Sequence, residues 1–194
     1  MSGSTVNIQA AGKVVAADNP LPVTSTGGMV QVSAEVVIGT GATYANGQVA
    51  GPDVGADKTI LGCARVGAGT GKILKARLIT NNVLMIDSLA QFRVHLYDDA
   101  AGVVTAINNS AANTLLYANG AHRVGSIDFN QFITAGAGSD AAVSYGVHQS
   151  GNSAFTPFKC AAAATAMSCR IETLAAVTLV TGQKFTLFLM IEQD

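Results

Sequence analysis

Hydrophobic and polar residues alternate along several segments of the chain, and this two-residue period is the dominant signal in the sequence. Successive side chains of a strand point to opposite faces, so the alternation predicts strands that each bury one face. The alternating segments are Val30–Ile38, Gln91–Tyr97, Val143–His148, Met167–Glu172 and Phe185–Glu192. On the third segment, the pattern assigns Val143, Tyr145 and Val147 to the buried face.

Three further segments, Thr59–Val66, Lys72–Thr80 and Val124–Ile133, have the composition of strands. Turns rich in glycine and asparagine separate them, and about eight strands with such punctuation predict a sandwich or barrel. No segment has a long helical stripe, and the best helical candidate is one or two turns around Ser110–Tyr117. The sequence therefore predicts an all-β domain at residues 29–194, an antiparallel β-sandwich of two sheets packed face to face.

Residues 1–28 differ from the rest of the chain because they are polar and rich in Gly, Ser and Thr. Their two prolines favour extended or polyproline-II backbone in the preceding residues. We interpret residues 1–28 as an extended N-terminal arm with a short strand at Gly12–Ala16. We expect this arm to bind a partner, with Leu21, Pro22 and Val23 as the apolar anchor. The predicted partner-binding residues are Asn19, Pro20, Leu21, Pro22, Val23 and Thr24.

Composition changes this picture in one respect, which is the nature of the surface. Charged residues make up 12% of the chain, against about 25% in typical domains, which suggests that other subunits cover part of the surface. The net charge is −1 and no run of like charges occurs, which argues against a nucleic-acid partner.

The longest apolar runs, such as Phe185–Ile191, are too short to cross a bilayer. No signal peptide is recognisable at the N-terminus, so we expect a protein made in a cytosol.

Cysteine usage argues against a disulfide framework, since the three cysteines, Cys63, Cys160 and Cys169, are odd in number. Their small or apolar neighbours predict buried, inert thiols.

The residues that could carry catalysis or metal binding do not form recognisable motifs. Gly67–Lys72 is glycine-rich, but it lacks the spacing and the following Ser or Thr of a phosphate-binding loop, so we interpret it as a hairpin turn. His95, His122 and His148 have no metal-ligand spacing, and no Gly-x-Ser-x-Gly nucleophile motif is present. The sequence thus predicts no enzyme, no cofactor and no metal site.

Charged residues near or within the predicted strands leave alternatives open. Asp98 and Asp99 follow a strand, where such a pair caps a turn or, alternatively, binds Ca²⁺ or serves acid–base chemistry. Strand-borne basic residues are either solvated or paired with carboxylates of a neighbouring subunit. The basic residues in question are Arg65, Lys75, Arg77, Arg93 and Arg170.

Four stretches, in order, resemble a known group of proteins. The first, Tyr44–Gly51, has the pattern tyrosine, two small residues, Gly, x, Val, x, Gly. The second, Thr59–Ile79, has the pattern of a strand, a glycine turn and a strand. The other two are Ala90–Asp98 and Arg123–Phe129. This order is similar to that of small structural proteins encoded in the head modules of tailed bacteriophages, and residues 19–24 are similar to the N-terminal stretches of many phage virion proteins.

The resemblance implies a jelly-roll-like β-sandwich that serves as a head decoration (cement) protein. Such a protein stabilises the capsid from its exterior after assembly in the host cytoplasm, at local three-fold or two-fold positions. The implied partners are the major capsid protein and copies of the chain itself, as a homotrimer or another homo-oligomer, with neither nucleic acid nor membrane.

Three alternatives to a decoration protein stay open at the level of sequence. One is a tail or baseplate component. Another is a carbohydrate-binding β-sandwich, which would need exposed aromatic residues; the chain has no Trp, so Tyr44, Tyr97, Tyr117 and Tyr145 would have to form the platform. The third is a hydrolase whose His, Asp or Ser residues come together only on folding.

Overall fold

The computed structural model describes residues 9–10, 13–14, 28–86, 89–98, 107–114, 117–135, 140–149 and 154–194. Within these ranges the chain is built from short and medium strands with two 3₁₀ helices. The elements are β1 (Gln9–Ala10), β2 (Lys13–Val14), β3 (Met29–Val37), β4 (Ala42–Tyr44), β5 (Val49–Ala50), β6 (Lys58–Ile60), β7 (Thr70–Thr80), η1 (Val83–Met85), β8 (Phe92–Tyr97), η2 (Tyr117–His122), β9 (Arg123–Phe129), β10 (Ile133–Thr134), β11 (Ala142–Tyr145), β12 (Val147–His148), β13 (Thr156–Lys159), β14 (Met167–Thr173), β15 (Val177–Leu179) and β16 (Lys184–Gln193).

Two antiparallel sheets of six strands form the body of the domain. The front sheet has the order β10-β11-β7-β16-β3, with β13 also paired to β7; the back sheet has the order β12-β9-β8-β14-β5, with β6 also paired to β14. The Phe92 ring of β8 lies 5.1 Å from the Phe185 ring of β16, so the sheets contact each other. The predicted all-β antiparallel sandwich is confirmed, and the jelly-roll topology stays a prediction.

One hydrophobic core lies between the sheets, as the alternation in the sequence requires. Along β16, Phe185, Leu187, Leu189 and Ile191 are buried while the residues between them are partly exposed. Strand β3 shows the same pattern at its paired positions. The core also takes side chains from the other strands of both sheets, including Leu78 of β7, Val94 of β8, Ile127 of β9 and Ile171 of β14.

The predicted strand Thr59–Val66 is wrong in its length, and Gly67–Lys72 is not a hairpin turn. Strand β6 ends at Ile60 and belongs to the back sheet, whereas β7 belongs to the front sheet, so the intervening loop crosses between the layers. Gly62 has a left-handed backbone with φ of 72°, and a Cβ on Gly67 would lie 2.7 Å from Ala163 Cα. Glycines are therefore needed here for the crossing and for close backbone approach.

The predicted buried face of Val143–His148 is confirmed for Val143, which is 7% exposed, and is wrong for Tyr145 and Val147. Tyr145 and Val147 are 63% and 54% exposed, whereas Ala142 and Ser144 are buried. Ser144 pairs with the inward residue Leu78 in the ladder, so small residues of β11 face the core and Tyr145 faces outward. Alternation alone does not distinguish the two faces when the inward residues are small.

Two further predictions change on folding. The segment Val124–Ile133 forms two strands, because β9 ends at Phe129 in the back sheet and β10 begins at Ile133 in the front sheet. Ser110–Tyr117 is not helical where it is described; the 3₁₀ helix η2 begins at Tyr117 instead. Asn109 accepts a hydrogen bond from Tyr44 of β4, and Asn113 accepts one from Arg170 of β14. These side-chain hydrogen bonds hold residues 107–114 in place and compete with helix formation.

Strand β2 lies inside the predicted arm strand Gly12–Ala16 and pairs with β1. The predicted partner-binding residues of the arm, Asn19 to Thr24, lie outside the described residues.

All three cysteines are buried, as predicted, and none of them forms a disulfide. Burial raises the pKa of the Cys169 thiol to about 12, which keeps it protonated and unreactive at neutral pH.

Candidate functional site

The outer face of the front sheet carries a flat strip of apolar and basic side chains. The ladder places Phe188 opposite both Ser33 and Arg77, and places Arg77 opposite Tyr145. One step along the strands, Met190 lies between Gln31 and Lys75. We call this strip the Phe188 face, and its residues are Gln31, Ser33, Lys75, Arg77, Tyr145, Phe188 and Met190.

Side chains on this strip contact one another and leave shallow hollows. The Arg77 guanidinium lies 4.5 Å from the centre of the Phe188 ring, in cation–π geometry. A hollow of about 170 Å³ opens between Tyr145, Phe188 and Met190. A second hollow, of about 350 Å³, shares Tyr145 and extends over Ile133 and Val147, which are 44% and 54% exposed. The exposed apolar surface is thus continuous from Met190 to Val147.

Charge is distributed unevenly over the front sheet. Near the two ends of β16, Lys184 pairs with Glu35 at 3.2 Å and Lys72 pairs with Glu192 at 3.8 Å. Lys75 and Arg77, at the centre, have no carboxylate partner in the part of the chain that the structure describes. The Phe188 face is therefore apolar with a net positive charge, which suits an acidic, partly apolar surface.

The Phe188 face reaches an unpaired sheet edge. Strand β3 pairs with β16 on one side and, within the described ranges, with no strand on the other. It is nine residues long, and a free edge of this length presents backbone donors and acceptors to a second chain.

The outer face of the back sheet carries a polar cluster in which Arg170 and His95 are buried and the other members are half-buried. Arg170 of β14 is fully buried and donates to Asp57 through two nitrogens, at 2.6 and 2.8 Å. His95 of β8, opposite Arg170, lies 2.5 Å from a Glu172 carboxylate oxygen. Asn113 contacts both His95 and Arg170, at 3.0 and 3.2 Å. We call these five residues the Arg170 cluster.

The Arg170 cluster fixes loops onto the back sheet. Asp57 precedes β6 and Asn113 belongs to the 107–114 segment, so both loops are tied to β14. The same segment is held by Asn109, whose side chain accepts from Tyr44 Oη and donates to the Thr40 carbonyl. The cluster therefore covers a sheet face that would otherwise be open to water.

Strand-borne basic residues thus have two different roles. Arg93 pairs with Asp128 at 2.7 Å and Arg170 with Asp57, so both partners belong to the same chain rather than to water or a neighbouring subunit. Lys75 and Arg77 lie on the outer face of the front sheet. Arg65 is not in a strand; it lies in the crossing loop.

The cluster also brings His95, Glu172 and Ser126 into neighbouring positions, since Ser126 is opposite His95 in the ladder. Ser126 accepts a hydrogen bond from Arg123 at 3.2 Å and forms none with the imidazole. A serine hydrolase needs that nucleophile–base hydrogen bond, so this arrangement does not favour the hydrolase alternative.

The remaining histidines lie elsewhere. His122 contacts Asp98 at 2.9 Å, and His148 contacts the Thr156 hydroxyl at 2.8 Å. Burial lowers the pKa of His148. Across the described ranges, no group of three or more His, Cys, Asp or Glu side chains is arranged to hold a metal. Asp98 binds His122, and Asp99 lies outside the described residues.

The tyrosine platform expected for a carbohydrate-binding protein is not formed. Tyr44 and Tyr97 are fully buried, and burial raises the pKa of both phenols. Tyr145 is exposed, and the side chain of Tyr117 is outside the description. Two of the four tyrosines therefore lie in the interior and cannot contact a carbohydrate on the surface.

Acid should weaken the Arg170 cluster. The His95 hydrogen bond lowers the pKa of Glu172 below its ordinary 4.5, so the folded state binds that proton more weakly than the unfolded state. The resulting stability is complete above pH 4.5 and is lost as the pH falls through the lower folded pKa. Urea denaturation from pH 7 to pH 3 measures this, and Glu172→Gln should flatten the acid limb. An acid limb as steep in Glu172→Gln as in the native chain would contradict the assignment; Glu35→Gln, on the exposed surface, is the matched control.

No protein-family model matches the chain, and no curated protein matches it. Among the described residues, no helix is long and apolar enough to span a membrane.

Proposed function

We propose that the chain is a non-enzymatic structural protein of a tailed-phage virion, a head decoration protein that bridges capsomers and packs against copies of itself. The observation that carries the proposal is the Phe188 face, where exposed Tyr145 and half-buried Phe188 and Met190 surround two basic residues that lack carboxylate partners among the described residues. It agrees with the resemblance of the sequence to phage head proteins and with the low charge of the chain.

Physical reasons favour an assembly role for this face. Flat apolar surfaces of this kind mark sites of protein–protein contact more often than sites of chemistry. An acidic, partly apolar patch on the shell protein would complement Lys75 and Arg77 and steer docking. Repetition over a lattice then converts modest single contacts into strong binding.

The edge of β3, unpaired within the described ranges, supports the same proposal. Natural sheets protect long edges with prolines, bulges, inward charges or covering segments. Strand β3 has no proline and presents Gln31, Ser33 and Glu35 outward. If a neighbouring subunit covers the edge of β3 in the assembled particle, the strand itself needs none of these protective features.

Removal of the arm tests the predicted partner contact of residues 19–24. A chain without residues 2–27 should keep its β-rich circular dichroism spectrum, because the sandwich core lies in the later strands. Its affinity for heads assembled without the chain should fall by about 10- to 100-fold, since one of two linked contacts is lost. Sedimentation of labelled chain with heads measures the affinity.

Two controls separate the anchor from chain length. Leu21→Ser with Val23→Ser keeps the length and should reproduce the loss, whereas deletion of residues 2–8 should have little effect. Unchanged affinity of the long deletion would contradict the arm assignment, and binding to tails but not heads would make the protein a tail component.

A further inference from the structure

A second pocket lies away from the Phe188 face and has no part in the proposed assembly role. It has a volume of about 590 Å³ and lies where β8 ends, β9 begins and β13 ends. Ligand pockets in proteins commonly occupy about 300–1,000 Å³, so a small organic molecule fits. Its lining residues are Asp98, Ala121, His122, Arg123, Val124, Pro157, Phe158, Lys159, Cys160, Ala161 and Ala162.

The lining of this pocket contains three basic side chains, those of Arg123, Lys159 and His122. Strand β13 alternates, with Thr156 and Phe158 buried and Lys159 exposed, so Lys159 points away from the core. Arg123 and Lys159 form no ion pair with any carboxylate in the described part of the chain, and Arg123 donates only to the Ser126 hydroxyl. Two cations therefore line one pocket, and neither of them forms an ion pair with a carboxylate among the described residues.

His122 supplies a third donor with a fixed orientation. Its Nδ1 contacts both Asp98 carboxylate oxygens, at 2.9 and 3.1 Å. This contact engages Asp98, the one acidic residue of the lining, and it leaves Nε2 on the opposite side of the ring. With Nδ1 donating to the carboxylate, the imidazolium form of His122 carries its second N–H on Nε2, where it is oriented to donate to an anion.

The rest of the lining is small and apolar, with Ala121, Val124, Pro157 and Ala162 among its members. Such walls accept a flat or apolar group beside an anion and offer it few polar partners. Arginine and lysine together are the side chains that bind phosphoryl oxygens most strongly. The basic side chains and the apolar walls of the pocket therefore suit the same class of ligand, an anion that carries a flat or apolar group.

We propose that this pocket binds a small phosphate ester of nucleoside monophosphate size, with the phosphoryl group between Arg123, Lys159 and His122. The organic part lies against the alanine, valine and proline walls. The site is independent of the proposed virion role, and its presence or absence leaves that role unchanged.

Calorimetric titration of the full chain with AMP and, separately, with inorganic phosphate tests the site. We expect saturable binding at one site per chain, with AMP tighter than phosphate because only AMP uses the apolar walls. Changing Arg123 and Lys159 together to Gln should weaken AMP binding by at least about tenfold, since charge-assisted hydrogen bonds are lost.

The matched control removes the same charge elsewhere. Lys75→Gln with Arg77→Gln takes two cations from the Phe188 face, one exposed and one half-buried. It should change AMP affinity by less than about twofold, since interactions between solvent-accessible charges decay over about 10 Å in 0.1 M salt. Circular dichroism verifies that both double variants are folded. Absence of saturable AMP binding, equal affinity in the Arg123/Lys159 variant, or equal weakening in the control would each overturn the proposal. Phosphate binding as tight as AMP binding would overturn the assignment of the apolar walls.

Discussion

Replacing Arg170 with Met is expected to destabilise the fold by about 3–5 kcal/mol, because removing one partner of a buried ion pair strands the other. Arg170 is fully buried, and its guanidinium holds Asp57 through two hydrogen bonds and Asn113 through a third. Without it, the Asp57 carboxylate keeps its desolvation cost and the loops over the back sheet lose their common partner. Urea denaturation at pH 7 measures the loss.

The double variant Arg170→Met with Asp57→Asn distinguishes the ion pair from mere packing. With both charges gone, no uncompensated charge remains, so the double variant should be more stable than Arg170→Met alone. Lys75→Met, an exposed position in the front sheet, should change stability by less than about 0.5 kcal/mol. A double variant as unstable as the single one would show that side-chain volume, not charge, is what Arg170 contributes.

Changing Phe188 to Asp is expected to weaken binding to heads by about 30-fold or more, the effect of removing a central aromatic contact from an interface. Phe188 lies in the middle of the strip, between Ser33 and Arg77 in the ladder, with its ring against the Arg77 guanidinium. The new carboxylate would also neutralise Arg77 and repel an acidic partner. Sedimentation of labelled chain with heads gives the affinity.

Leu61→Asp and Leu84→Asp are the matched controls, since both leucines are exposed, at 73% and 69%, and neither belongs to the Phe188 face. They should bind heads as the native chain does. Tyr145→Asp, at a 63% exposed position of the face, should weaken binding without affecting the core. Equal weakening by Leu61→Asp would contradict the assignment of the interface to this face.

Period-two alternation predicted most of the sandwich because the core-facing residues of each long strand are apolar and recur at every second position. The clearest cases are β3, β8, β14 and β16, which lie close to their predicted positions. It failed where the inward residues are small, as in β11, where Ala142 and Ser144 face the core and Tyr145 does not. It also failed at the crossing between β6 and β7, because glycine spacing does not distinguish a hairpin from a change of layer.

The polar cluster could not be predicted because its partners are far apart in the chain. Arg170 and Asp57 are separated by 113 residues and His95 and Glu172 by 77, and no local spacing brings such pairs together. One signal was available: β14 and β8 each place a basic residue between apolar ones, and a strand covered on both faces requires partners for it. The Phe188 face could not be predicted either, because it depends on which residues of neighbouring strands lie opposite one another. Alternation shows which residues of one strand share a face, but it does not determine the register between strands.

Hydroxyl-radical footprinting of the chain, free and bound to heads, tests the central claim most directly. The account predicts that Tyr145, Phe188 and Met190 lose most of their labelling on binding, while Leu61 and Leu84 keep theirs. Equal labelling of the Phe188 face in both states, with protection at Leu61 or Leu84 instead, would contradict it.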